Sequence, residues 1–194
     1  MVHKLIFPLL AFCVIACGAV PAPTPDGVAG SDATGAPTRA PLSERDPSLL
    51  ALQLAELPDE VSVTEIVNMD ESYTDQPDVH AGLVQGYQVS HRTDDWSRAF
   101  YNGVFVYGDA AQAKKAYRAI LLQTGEEPVV VSEIGTEAAA ISREDDTDAG
   151  TLHMKMVVWR YDNAAAFLLE ATYRSPPPLD ELVRLCQLVQ SRLE

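Results

Sequence analysis

The residue pattern predicts an α+β domain: an antiparallel sheet of about five to seven strands with two main helices packed on one face. Three observations carry this. Between residues 83 and 173, apolar and polar residues alternate over several runs rich in Val, Tyr, Phe and Trp. Turns as short as Thr93-Asp94-Asp95 and Asp162-Asn163 separate some of these runs. Connections that short join antiparallel neighbours, because a parallel pair needs a long crossover. Two further segments repeat their apolar residues at the helical period, and each apolar stripe needs a sheet face to cover it.

Taken in order, Asp46-Pro47-Ser48 opens a capped helix, with proline at the first helical position and Leu49, Leu50, Leu52 and Leu54 following. That helix must stop before Pro58. Residues 61–67 are β-branched and predict a strand, and the polar stretch 68–81 predicts a loop. The run 83–92 alternates with Leu83, Gln85, Tyr87, Val89 and His91 on one side. After the acidic turn, 97–107 returns with Ala99, Tyr101, Gly103, Phe105 and Tyr107 together. Asp109 caps a helix over 110–123, whose apolar side is Ala113, Ala116, Tyr117, Ile120 and Leu121, with Gly125 as its stop.

A short strand, Val129-Val130-Val131, follows Pro128, and a further strand is expected over 137–143. Residues 144–150 read as an acidic turn. The run 151–161 sets Leu152, Met154, Met156 and Val158 against His153, Lys155, Val157, Trp159 and Tyr161. Asp162-Asn163 suits a two-residue loop with positive φ, and 164–173 returns. Three prolines, Pro176 to Pro178, precede the last helix over 179–193.

Ahead of the domain stands a different kind of chain. Residues 5–16 are apolar, interrupted by Pro8, and end in Val14-Ile15-Ala16-Cys17. The run is too short for a membrane span, which needs roughly 18 apolar residues or more, and fits a cleaved signal. Val14-Ile15-Ala16-Cys17 resembles a bacterial lipobox, which implies cleavage after residue 16 and lipid on Cys17. Cleavage near Ala19 to leave a soluble secreted protein, and a retained membrane anchor, are the alternatives. Residues 1–16 are thus expected as a lipoprotein signal peptide. Residues 17–44, rich in Pro, Gly and Thr, are expected as a disordered tether, because such a composition buries too little apolar surface to offset chain entropy. Residues 45–194 form the domain.

Composition excludes some partners. The formal net charge is −14, so non-specific nucleic-acid binding, which needs Lys and Arg against phosphates, is not expected. Attraction to an anionic lipid surface by net charge is excluded too. Of three cysteines, Cys13 leaves with the signal and Cys17 is consumed by lipid. Cys186 then has no partner for a disulfide, and sits on the apolar stripe of the last helix with Leu182, Val189 and Leu193.

The motifs Gly86-Tyr87, Phe105-Val106-Tyr107-Gly108-Asp109-Ala110, Ile134-Gly135-Thr136-Glu137-Ala138 and Val157-Val158-Trp159-Arg160-Tyr161-Asp162-Asn163 resemble, in this order, a loose group of bacterial lipoproteins and sensor-like extracytoplasmic domains. They resemble in particular the extracellular domains of mycobacterial-type receptor kinases. The resemblance runs over most of 83–194 and implies a fold and an extracytoplasmic location, with no catalytic signature. Those kinase domains hold paired disulfides, which this chain does not allow.

Catalytic and metal motifs are missing from the chain. Glu144-Asp145-Asp146-Thr147-Asp148-Ala149-Gly150 fails as a calcium loop, since the sixth position is Ala149 and the twelfth Lys155. His80, His91 and His153 lie too far apart for a zinc motif, and no phosphate loop, nucleophile elbow or dinucleotide fingerprint occurs. Lys114, Lys115 and Arg118 form a small basic patch on the first long helix. Trp96, Tyr101, Trp159 and Tyr161 are the candidate ligand-binding residues, because aromatic rings with a polar edge suit a glycan, peptide or apolar ligand. The expectation is a lipid-anchored extracytoplasmic binding or sensor-type module of the bacterial envelope, without catalytic activity or cofactor. Its expected partners are the membrane through lipid on Cys17, and a small ligand or an envelope protein. The alternative is a scaffold or assembly subunit of an envelope complex.

Overall fold

The computed structural model describes residues 40–69 and 77–194. The expected signal peptide, Cys17 and the tether as far as residue 39 lie outside the described residues. Seven strands occur within them: β1 (Ser62–Met69), β2 (Leu83–Arg92), β3 (Arg98–Tyr107), β4 (Val129–Val130), β5 (Glu137–Thr147), β6 (Gly150–Tyr161) and β7 (Ala164–Thr172). They pair antiparallel in one sheet of order β1-β2-β3-β7-β6-β5-β4. The helices are α1 (Pro47–Leu50), α2 (Pro77–His80), α3 (Ala110–Thr124) and α4 (Leu179–Leu193). The fold is α+β, as the alternating runs and short turns require.

Local chemistry sets most of the boundaries. The Gln112 amide donates to the Asp109 carboxylate at 2.8 Å, starting α3, and Gly125 ends it at φ 69°. Asp162 takes φ 49° between β6 and β7, which a short polar side chain tolerates.

Register shows how the helices sit. Residues directly opposite on paired strands share a face. One such row is Tyr87, Val104, Ala166, Trp159 and Ala138, and all five belong to the core cluster that includes Leu182, Leu185, Cys186, Val189 and Leu193 of α4. The neighbouring row, Phe105, Ala165, Arg160 and Glu137, points the other way. There His80 of α2 meets the Phe105 ring edge-on at 5.8 Å, and Lys114 of α3 pairs with Glu137 at 3.5 Å. The two long helices, expected on one face, therefore cover opposite faces. The strand between them accounts for this: Ala164 to Leu168 are buried without interruption, as a strand covered on both sides must be.

Three further expectations change. The helix expected before Pro58 is one turn, α1, followed by a 3₁₀ turn at Leu54–Glu56. Asp46 caps α1 as expected, accepting from the Ser48 amide at 2.9 Å. Leu50, Ala51 and Leu52 are then buried in succession, and the Leu52 amide donates to Asn102 Oδ1 at 2.8 Å. Three consecutive buried residues cannot share one helical stripe, so the chain opens out. The acidic stretch expected as a turn is mostly strand, since β5 continues to Thr147. Arg143 neutralises Asp145 at 2.8 Å and His153 meets Glu144 at 3.0 Å. Part of the loop expected over 68–81 also changes, because β1 runs on to Met69 and α2 forms a single turn. Residues 70–76 lie outside the described residues.

The folded unit begins at Ala40, ahead of the boundary expected at residue 45. Leu42 is buried in the core, and the Gln85 side-chain amide donates to the carbonyls of Leu42 and Arg45 at 2.8 and 2.9 Å.

Candidate functional site

Helix α3 is too short to cover its whole face of the sheet. Beneath it, Phe105, Ala165, Phe167, Val158 and Ala139 are buried. Beyond it run two more rows. The first is Ser90, Tyr101, Leu169, Met156 and Ile141, and the second is Arg92, Ala99, Ala171, Met154 and Arg143. Tyr101, Leu169, Met156, Ala171 and Met154 are half-buried. Among the described residues, no helix or strand packs over them. The result, among the described residues, is an open, largely apolar face across β2, β3, β7 and β6, bounded by arginine on either side.

The β2–β3 turn stands at one corner of this face. The Trp96 amide donates to the Thr93 carbonyl at 3.1 Å, and Trp96 then takes φ 59°. Glycine ordinarily fills that left-handed place after a tight turn; a bulky residue there costs roughly 1–2 kcal/mol. The turn is held around it. The Ser97 amide donates to Asp95 at 3.0 Å, and this bond, with the Thr93 and Ser97 hydroxyls, draws the Asp95 carboxyl down to about 2. Arg92 lies over the Trp96 ring at 3.8 Å and donates from Nη1 to the Thr93 carbonyl at 3.0 Å.

The four aromatic candidates separate. Trp96 and Tyr101 belong to the open face. Trp159 is wholly buried on the opposite face, in the core beneath α4, and Tyr161 packs half-buried against that same core. His153 and Lys155 share the Trp159 side of β6 without surrounding it. They lie toward the far end of β6, where Lys155 donates to the Pro177 carbonyl at 2.5 Å. Met154, Met156, Leu169 and Arg92 were not among the sequence candidates. Their signal was present in the alternation, but it depended on knowing where α3 ends.

The basic patch divides as well. Lys114 pairs with Glu137, whereas Lys115 and Arg118 line a shallow groove of about 620 Å³ with Gly82, Gln112 and Leu122. Among the described residues no group of three or more His, Cys, Asp or Glu is placed to hold a metal ion. No helix among them is long and apolar enough to cross a membrane. Cys186 is buried, and burial lifts its thiol well above the usual range.

By sequence, the chain matches no family model and no curated protein. Its fold is similar to that of the extracellular domain of PknH from Mycobacterium tuberculosis, with a TM-score of 0.53 at 10% identity, over 79% of this chain and 97% of that one. A protein from Bacteroides thetaiotaomicron aligns at a TM-score of 0.43 and 16% identity, over 65% of this chain and 41% of that one. An uncharacterised protein from Mycobacterium smegmatis aligns at 0.33 and 14% identity, over 77% and 83%. The α+β fold of a mycobacterial kinase's extracellular domain is thus the fold that this chain shares.

Proposed function

We propose that this chain is a non-catalytic binding or sensor-type module of the bacterial cell envelope, held to the membrane by lipid on Cys17. Its ligand is taken on the open sheet face. The observation that carries this reading is the face itself: half-buried Tyr101, Met154, Met156 and Leu169 beside a tryptophan held in an unfavourable backbone conformation. Backbone strain persists where the surroundings over-determine it, and it concentrates at recognition sites. The lipobox-like Val14-Ile15-Ala16-Cys17 and the fold shared with an extracellular domain support an extracytoplasmic place.

Native mass spectrometry of the protein, purified gently from its own envelope, tests the reading. An added mass of a few hundred daltons is expected, and it should disappear in a Trp96→Gly variant. A bare monomer from envelope-derived material would count against a small-ligand binder. Anchoring has a separate test: Cys17→Ser should abolish incorporation of labelled palmitate, and retained label would sink it.

One observation favours an assembly subunit instead. Among the described residues, strand β4 pairs only with Ala139 and Ala140, and its Val129 and Val130 are 63% and 83% exposed. From Ile141 to Thr147 the outer edge of β5 meets no strand among the described residues. Such an edge is able to accept a partner strand. A second protein retained in the native spectrum would support that reading.

A further inference from the structure

We propose that the open face takes a single-chain amphiphile with an anionic head, its chain over Tyr101, Leu169, Met156 and Met154 and its head against Arg92. The inference rests on the binding reading above and names the class of ligand.

Arginine pairing distinguishes this corner of the sheet. Arg98, Arg143 and Arg160 each meet a carboxylate, at 2.7, 2.8 and 2.9 Å. Arg92 meets none within ion-pair distance among the described residues. Its Nη1 serves backbone carbonyls of Thr93 and Asp94, and its Nε is buried with no hydrogen-bond partner. In a chain of net charge −14, acids are plentiful, yet among the described residues none neutralises this guanidinium. Stacking on Trp96 at 3.8 Å fixes its plane, and a fixed guanidinium is the side chain best suited to a carboxylate or phosphate.

The rest of the face fits a chain rather than a compact ring. From Arg92 on β2 to Met154 on β6 it spans three inter-strand steps, about 14 Å at roughly 4.8 Å each. Methionine is flexible and polarizable, and moulds to an alkyl chain without a preformed slot. Tyr101 and Leu169 face each other across β3 and β7 in the middle of the path.

The protein holds two tryptophans, and Trp159 is sealed in the core. Emission changes on titration therefore report Trp96. Dodecanoate below its micellar concentration is the probe, with dodecyl maltoside as the same chain without charge and acetate as the head without chain. Saturable binding of dodecanoate is expected, at least tenfold tighter than either control. Arg92→Gln should weaken it by about tenfold or more, the size of a lost charge-assisted contact, and Arg92→Lys should recover part of that loss. Melting curves would establish that both variants fold. Equal affinity for the maltoside, or an unchanged affinity in Arg92→Gln, would overturn the anionic-head proposal. Binding to phosphatidylglycerol vesicles without binding free dodecanoate would overturn it in favour of a membrane surface. Either result leaves the binding reading intact if an envelope-derived ligand still travels with the protein. No saturable binding and no retained ligand would remove both.

Discussion

Arg98 donates from Nε to the Glu170 carboxylate at 2.7 Å, while the second Glu170 oxygen is buried with no hydrogen-bond partner among the described residues. Glu170 is 2% exposed, and Arg98 also reaches Glu181 at 3.5 Å and Glu60 at 3.9 Å. Burial raises the Glu170 carboxyl above its ordinary range, outweighing the pull of Arg98. A carboxyl raised in the folded state holds its proton more tightly there than in the unfolded chain. Its contribution to stability is then complete below the ordinary carboxyl range, and is lost as pH rises through the raised value. Glu170→Gln should therefore gain stability relative to the parent as pH climbs from about 4 towards 7. Thermal melts of both proteins across that range check it, and parallel pH profiles would contradict it.

Asn102 links the N-terminal segment to the sheet. It accepts from the Leu52 amide at 2.8 Å and donates to the Phe167 carbonyl at 2.6 Å, wholly buried. Asn102→Ala leaves the buried Leu52 amide without its acceptor, at roughly 1–3 kcal/mol, and takes one bond from the Phe167 carbonyl. The variant should melt well below the parent, and the Leu52 amide should exchange with deuterium much faster.

The two tryptophans should answer to mutation in opposite ways. Trp159→Ala empties the core beneath α4 and should cost about 3–5 kcal/mol. Trp96→Gly relieves a left-handed backbone worth roughly 1–2 kcal/mol and gives up stacking on Arg92 worth about 0.5–1. Its stability should hold or rise slightly while ligand retention is lost. A large fall in melting temperature for Trp96→Gly would mean that the turn is structural.

Close packing on the α3 side is tested at Gly103. A Cβ there would stand 2.4 Å from the Phe167 ring and 3.0 Å from Phe105. Gly103→Ala should lose about 1–3 kcal/mol through overpacking, read as a lower denaturation midpoint in urea. An unchanged midpoint would mean that both rings move freely.

Cys186 should resist thiol reagents in the native protein, because burial holds it as the unreactive thiol. Labelling should appear only as the protein unfolds, and its rate should track the unfolding transition. Rapid native labelling would show that α4 opens locally.

Much of this fold was legible because alternation and turn chemistry act locally. β2 and α4 occupy the residues that their patterns predict, 83–92 and 179–193. Alternation tells which residues share a face, but not which helix lies over it. The clue was Ala164-Ala165-Ala166-Phe167-Leu168, too uniformly apolar for a strand with one wet side. Val157-Val158-Trp159 carries the same message, and read that way it places Trp159 in the core. Trp96 and Tyr101 were legible as candidate binding aromatics; Met154, Met156 and Leu169 were not. Their exposure arises where α3 stops, a relation between distant segments that no local pattern contains.

The start of the folded unit has a mechanical consequence. Arg45 donates from Nη1 to the Arg192 carbonyl at 2.9 Å, and Arg192 in turn reaches the Ala51 carbonyl at 2.6 Å and the Glu56 carboxylate. Tension applied to the chain upstream of Ala40 enters the domain at this clasp between its first and last segments. The clasp must yield, Leu42 must leave the core, and the Gln85 bonds to the Leu42 and Arg45 carbonyls must break, before this segment comes away from β2. A pull from the N-terminal side would thus peel away residues 40–57 and the end of α4 while β2, β3, β7 and β6 stay paired.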